Sequence, residues 1–212
     1  MEEVFHLDDQ LLKQELCKAM KELYSEKILT DIGGNLSFRS VDDPDTFWIT
    51  PSGLKKDLVE PKDLIQMTLD GKVVEEHSIY SPSVEWPMHL RVYQEDEDFR
   101  FIIHSHAPLA TAVSILEDPP EFQPFTAELA FLVPEIVIVP YQRSGSKELG
   151  EAVAEALWDS QILILQNHGV ISISEESFQR ASIKTRALEE YLQLYLNAKQ
   201  FQGKLRRFPD WD

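Results

Sequence analysis

Among its 212 residues the chain has one cysteine, Cys17, so no disulfide can close within it. Its place in an early apolar helix pattern makes Cys17 a small buried hydrophobe with no catalytic role. Long apolar runs are missing too: none approaches the roughly 20 residues that a membrane helix needs. The opening MEEVFHLDDQ is acidic where a secretory leader would be basic and then apolar. A cytoplasmic protein without a membrane partner is the expectation. Positive charge is also scarce, since 20 Lys and Arg against 37 Asp and Glu leave a formal net charge of −17. Nucleic acid and anionic membrane surfaces are therefore unfavourable partners. A small phosphorylated ligand is still compatible with an acidic chain, because local amides, hydroxyls and a metal can bind one. Repeats, low-complexity linkers and composition breaks are absent as well. Residues 1–212 read as one domain, with 43% hydrophobic residues to fill a core.

Hydrophobic spacing sets the expected elements. Residues 8–28 carry Leu12, Leu16, Met20 and Leu23 at helical intervals behind Asp8 or Asp9 as a cap. TDIGGNLSFRS then passes from a glycine pair into the alternation Leu36, Phe38, and DTFWIT followed by PSG reads as a strand ending in a turn. Asp70-Gly71 between two short apolar runs is the strongest hairpin signal in the chain. Residues 83–94 read as a helix starting near Ser83, which puts Pro87 in its first turn. There follow a strand at 99–104, a helix after Pro108 through LATAVSIL, a proline-rich turn at 118–124 and a strand EIVIVPY. A helix SKELGEAVAEAL, a continuous apolar strand ILILQNHGVISIS and a last helix from about Glu175 to Gln202 close the series. The result is one α/β domain with a mixed, partly antiparallel sheet. On the last helix Phe178, Ala181, Leu188, Leu192 and Tyr195 form a core stripe. The acidic run Glu95 to Asp98 is a solvated loop.

Two histidines stand one residue apart in FIIHSHAP. On a strand His104 and His106 project from the same face, with Ser105 turned away. His168 follows another apolar run and precedes Gly169, so it stands at a strand end beside a turn. Three such imidazoles suit a catalytic zinc that keeps further coordination open, although H-x-H alone is more often an ordinary strand pair. Glu85 and His89, four apart on the expected helix, share a face and are either a site pair or an exposed helix pair. His6 and His77 sit in polar segments and read as surface residues.

Taken together, GGNLSFR at 33–39, ITPSG at 49–53, PSVEWPMH at 82–89, HSHAP at 104–108, VPYQRSGSKELGEAV at 139–153 and NHG at 167–169 resemble the class II aldolase/adducin family. The fuculose-1-phosphate aldolase type is the closest in look, with methylthioribulose-1-phosphate dehydratase and ribulose-5-phosphate 4-epimerase as relatives. The resemblance covers nearly the whole chain and implies a single-domain three-layer α/β/α fold around a mixed, largely antiparallel sheet. It implies that His104, His106 and His168 are zinc ligands, with other divalent transition metals as substitutes. Glu85 would be the acid/base carboxylate, also able to ligate the resting metal. Gly34, Asn35, Ser52, Gly53 and Ser83 would bind the substrate phosphate. Val84 departs from the pattern where a second serine is usual, as does Ile32 or Gly33 where a small polar residue is usual. Tyr141 would be a proton donor reaching the neighbouring subunit's site in a homotetramer.

The function so implied is a zinc-dependent lyase that cleaves a phosphorylated ketose, or a related small sugar phosphate, through a metal-stabilised enediolate. Glu85 would move protons at carbon and Tyr141 at the aldehyde-side oxygen. Dehydration of the methylthioribulose-1-phosphate type ranks second and decarboxylation third. A non-enzymatic adducin-like interaction module is the reading of another class, disfavoured because the three histidines and Glu85 are all present. The tail KLRRFPDWD is a solvated tail, or places Phe208 or Trp211 where they shape specificity.

Overall fold

Helix α1 (Asp9–Ser25) starts where the Asp8 carboxylate accepts the Leu11 amide at 2.8 Å, and it buries Leu12, Leu16, Met20 and Leu23 along one stripe. The structure, a computed structural model, describes residues 7–74, 79–120, 122–133, 135–202, 204–206 and 208–209. His6, His77 and Trp211 lie outside the described residues. α1 stops short of position 28 because the chain turns at Lys27, which takes φ 64. The amides of Ile28 and Leu29 then close back on the Leu23 carbonyl, and both side chains enter the core.

Seven strands follow: β1 (Asn35–Arg39), β2 (Thr46–Ile49), β3 (Ile65–Thr68), β4 (Phe101–Ser105), β5 (Val137–Val139), β6 (Ile162–Leu165) and β7 (Gly169–Ser174). They form one sheet in the order β3-β2-β1-β4-β7-β6-β5. Every pairing is antiparallel except β5 with β6. The remaining helices are α2 (Trp86–Glu95), α3 (Pro108–Ser114), α4 (Ala127–Leu132), α5 (Lys147–Ala156) and α6 (Phe178–Gln200). Side-chain alternation divides them into two layers. Leu36, Phe38, Phe101, Ile103, Ile164 and Val170 face α1 and α6. Ile102, Leu163, Leu165, Ile171 and Ile173 face Met88 and Val92 of α2 and Leu149 and Val153 of α5. The fold is thus three-layer α/β/α with a mixed, largely antiparallel sheet. Phe178 ties α6 down by edge contacts with Phe38 and Phe101, at centroid distances of 6.1 and 5.1 Å.

Four local expectations need correction or completion. The run ILILQNHGVISIS is two antiparallel strands, because Asn167 at φ 56 reverses the chain between Leu165 and Gly169. Helix α2 begins at Trp86, leaving Ser83 and Val84 in a turn, with Pro87 in the first helical turn. The Asp70-Gly71 turn forms around Gly71 at φ 84, yet beyond it a single bridge, Met67 to Val73, extends the pairing among the described residues. Helix α4 gave no periodic signal in six residues and was not anticipated. The stripe on α6 is core as expected, with Tyr195 stacked on Phe125 at 6.0 Å.

Helices α2 and α5 cross tightly at Gly150. A Cβ there would stand 3.0 Å from the Arg91 Cβ and 3.1 Å from the Pro87 carbonyl. Gly150→Val should wedge the two helices apart and destabilise the protein by about 1–3 kcal/mol, the usual cost of overpacking. Urea denaturation checks this; a variant as stable as the parent would show that the crossing has slack.

Candidate functional site

Strand β4 delivers the first imidazole. His104 is registered against Asn35 of β1 on one edge and Ile171 of β7 on the other, and it is fully buried. His106 lies two residues on, just past the strand end, and its ring meets His104 at 5.1 Å between centroids. His168 comes from the turn between β6 and β7, its ring 4.7 Å from His104 and 5.6 Å from His106. Gly169 makes this approach possible: a Cβ there would lie 2.4 Å from the Ser105 carbonyl and 2.9 Å from the His106 ring.

One ring nitrogen from each histidine can be chosen so that all three lie within 4.8 Å of one another. Two nitrogens of a tetrahedral zinc at about 2.1 Å each stand about 3.4 Å apart, so the trio would draw together by roughly an ångström around a divalent ion. Burial lowers the proton affinity of all three imidazoles, and His168 further disfavours charge on the other two. Neutral imidazoles are what a metal requires. The Nδ1 of His104 donates to the Val170 carbonyl at 2.9 Å. That leaves Nε2 as the lone-pair nitrogen, buried and without a partner among the described residues. The histidine set and its tautomer therefore match a metal centre.

Glu85 occupies the position just before α2 and is 5% exposed. Its carboxylate accepts hydrogen bonds from the Ser144 hydroxyl and from the Gly145 amide, the latter at 3.2 Å. Its Oε1 faces the His168 Nε2 at 3.6 Å. Gly145 takes φ 72, and a Cβ there would be 2.7 Å from the Val84 carbonyl, so the loop before α5 can press against the Glu85 turn only with glycine at this point.

The five residues assigned to a phosphate line the same cavity, of about 400 Å³, as Glu85 and the three histidines. Gly34 at φ 88 and Gly53 at φ 74 turn their loops toward it. A bridge between Pro51 and Pro82 and the bond from the Ser83 amide to the Thr50 carbonyl at 3.1 Å hold the Ser52 and Ser83 loops side by side.

Some expected residues lie elsewhere. Tyr141 is 59% exposed and is not among the residues lining this cavity. His89 is not exposed and does not reach the cavity either: it is fully buried behind it, with Nδ1 2.6 Å from the Ser37 hydroxyl, and burial holds its pKa at about 3. Phe208 is also outside the lining, its amide bonded to the Pro124 carbonyl at 2.9 Å. Burial pushes the Cys17 thiol up to about 12, in keeping with an inert residue. Three lining residues escaped the sequence reading: Thr30, Lys56 and Ser144. The signal for Ser144 was its turn, RSGS, ahead of α5. Lys56 carried no signal beyond its closeness to Gly53.

A family model described as the class II aldolase and adducin N-terminal domain matches residues 14–196. An L-fuculose phosphate aldolase of Methanococcus maripaludis is 34% identical over 180 residues, which is 85% of this chain and 93% of that one. A 3-oxo-tetronate 4-phosphate decarboxylase of Escherichia coli is 30% identical over 189 residues, 88% of this chain and 86% of the relative. A solved structure titled L-fuculose 1-phosphate aldolase superposes with a TM-score of 0.81 at 31% identity, covering 94% of this chain and 91% of the other.

The two left-handed glycines that line the cavity, Gly34 and Gly53, differ in what a side chain would meet. Gly53→Ala finds open space and should cost only the backbone strain, about 1–2 kcal/mol. Gly34→Ala adds a Cβ 2.4 Å from Leu29 Cδ2 and 2.9 Å from the His104 carbonyl, and should cost clearly more. Equal unfolding free energies for the two variants would contradict this crowding around His104.

Proposed function

This chain belongs to the class II aldolase and adducin family, and we propose that it is a divalent-metal-dependent lyase, zinc being the preferred ion, acting on a small phosphorylated sugar. Aldol cleavage of a ketose 1-phosphate is the leading case. One observation carries the reading. Three imidazoles disposed to be neutral and one buried carboxylate share a cavity with the glycine and serine loops suited to a phosphate.

His104, His106 and His168 would hold the ion, which when bound supplies Lewis-acid polarisation of the substrate carbonyl. Glu85 would carry a proton at the carbon next to that carbonyl. The Ser144 hydroxyl and the Gly145 amide fix the carboxylate's orientation, so that it meets the substrate without rotamer search. Gly34, Asn35, Ser52, Gly53 and Ser83 would seat the phosphate and thereby place the carbonyl. Tyr141 would supply a proton at the oxygen of the departing aldehyde, from an adjoining subunit of a homotetramer. Its exposure and its place outside its own chain's cavity support that role.

Decarboxylation is the second reading, favoured by the 30% identical relative named as a 3-oxo-tetronate 4-phosphate decarboxylase. Both reactions break a carbon–carbon bond and leave an electron pair beside a carbonyl, so the same imidazoles and carboxylate serve either.

Elemental analysis and a panel of phosphorylated ketoses and 3-oxo acids test the proposal. About one equivalent of metal per chain is expected, lost in His106→Ala. Glu85→Gln should keep the metal while kcat falls about 10²–10⁴-fold, the range for removing a general acid/base. Aldehyde release identifies the aldolase and carbon dioxide the decarboxylase; full activity without metal overturns both.

A further inference from the structure

Lys56 is the only lysine or arginine among the described residues that line the cavity. It opens a short turn of 3-10 helix, Lys56–Leu58, three residues after Gly53, and its amide is anchored on the Asp31 carbonyl at 3.2 Å. The residue is 2% exposed. Its neighbour Lys55 is partly exposed and pairs with Asp57 at 3.2 Å. The Lys56 ammonium, in contrast, has no hydrogen-bond or ion-pair partner among the described residues. Burial brings it down to about 8. Its charge is felt at His106, whose own proton affinity it lowers. A lysine in this setting is a poor structural element: it gives up much of its hydration, keeping only what the cavity allows, and gains no counter-charge from the described residues.

The groups around it are short of charge in the complementary sense. Gly34 and Gly53 offer backbone amides, Ser52 and Ser83 hydroxyls, and Val84 two methyl groups. Neutral donors can satisfy the oxygens of a phosphate monoester but cannot balance its two negative charges. We propose that Lys56 is a substrate-binding residue whose ammonium supplies the counter-charge for the phosphate, so that the cavity selects a dianionic phosphomonoester over the free sugar. This rests on the sugar-phosphate reading of the cavity.

The test is calorimetric titration of the metal-loaded wild type, Lys56→Met and Lys56→Gln with glycerol 1-phosphate, and with glycerol as the uncharged control. The wild type should bind the ester and not glycerol. Both variants should lose about tenfold to a hundredfold in affinity for the ester, the effect of removing a charge-assisted hydrogen bond. Metal content should stay the same, and Tm should rise in Lys56→Met because a buried unpaired charge has gone, an outcome that a structural lysine would reverse. If the wild type binds the ester and the variants bind it equally well, the Lys56 assignment is overturned while the sugar-phosphate reading stands. If the wild type binds neither compound, both fall. A lower Tm in both variants makes Lys56 structural and overturns the assignment. Borohydride trapping of a phosphorylated ketose on Lys56 would also overturn it, in favour of an imine-forming lysine.

Discussion

Backbone pairing of β4 with β1 on one edge and β7 on the other is the constraint on which the cavity depends. The Asn35–His104 register sets the Gly34 loop beside the first imidazole, and the Ser105–Val170 register brings the His168 turn to the end of the same strand. The core enforces this alignment. Phe101 and Ile103 point to α1 and α6 while Ile102 points to α2 and α5. A slip of one residue would exchange the two faces, burying His104 in the wrong layer and turning Ser105 into the cavity. Thus the hydrophobic pattern that stabilises the sheet also sets the site geometry, and the Val170 carbonyl sets the tautomer of His104 at no extra structural cost.

The carboxylate side of the cavity depends on different contacts. Glu85 is carried by the turn before α2, and its donors sit in the loop before α5, so its position follows from how those two helices pack. Gly145 and Gly150 are the points of closest approach. Elsewhere a buried acid is fully answered: Asp9 accepts from the Ser40 hydroxyl, the Val41 amide and the Trp48 indole. In the cavity the balance is otherwise, since Asn35 Oδ1, His104 Nε2 and His168 Nδ1 are buried without partners among the described residues. Unanswered polar groups are costly. Others of this kind, Arg39 Nε and His89 Nε2 among them, lie outside the lining, but the three here meet in one cavity beside a lysine without a counter-ion, the arrangement expected where stability is given up for ligand binding.

What the sequence reveals of this arrangement follows from the range of each signal. The period of two in His104 and His106 is local and was readable, as were the left-handed turns at Gly34 and Gly53. Helices with long stripes, α1 and α6, were readable for the same reason. The reversal at Asn167 was not, because ILILQNHGVISIS is apolar on both sides of the turn and the strands on either side are buried on both faces, which removes the alternation that would have separated them. Ser144 and Lys56 owe their places to loop packing across the fold, which no local pattern records. Grouping Glu85 with the histidines, far apart in the chain, came from family resemblance; spacing alone left Glu85 paired with His89, which proves to be a buried neighbour of Ser37.

If the cavity breaks a carbon–carbon bond next to a carbonyl, the choice between an aldehyde and carbon dioxide as the departing fragment falls to groups at the mouth. A departing aldehyde requires a proton transfer at its oxygen, whereas departing carbon dioxide requires none and is favoured where a carboxylate is poorly solvated. In this chain the exposed part of the lining includes Ile32 and Val84, 70% and 66% exposed, neither able to move a proton. Glu85, in the proposed role, would be committed to the carbon side. With the Lys56 ammonium engaged on a substrate phosphate, an aldolase built on this cavity would draw its second acid from outside the lining, which is the demand that Tyr141 on an adjoining subunit would meet. A decarboxylase could use the apolar mouth as it stands. The nature of the reaction is then decided by assembly around the mouth as much as by the imidazoles at its base.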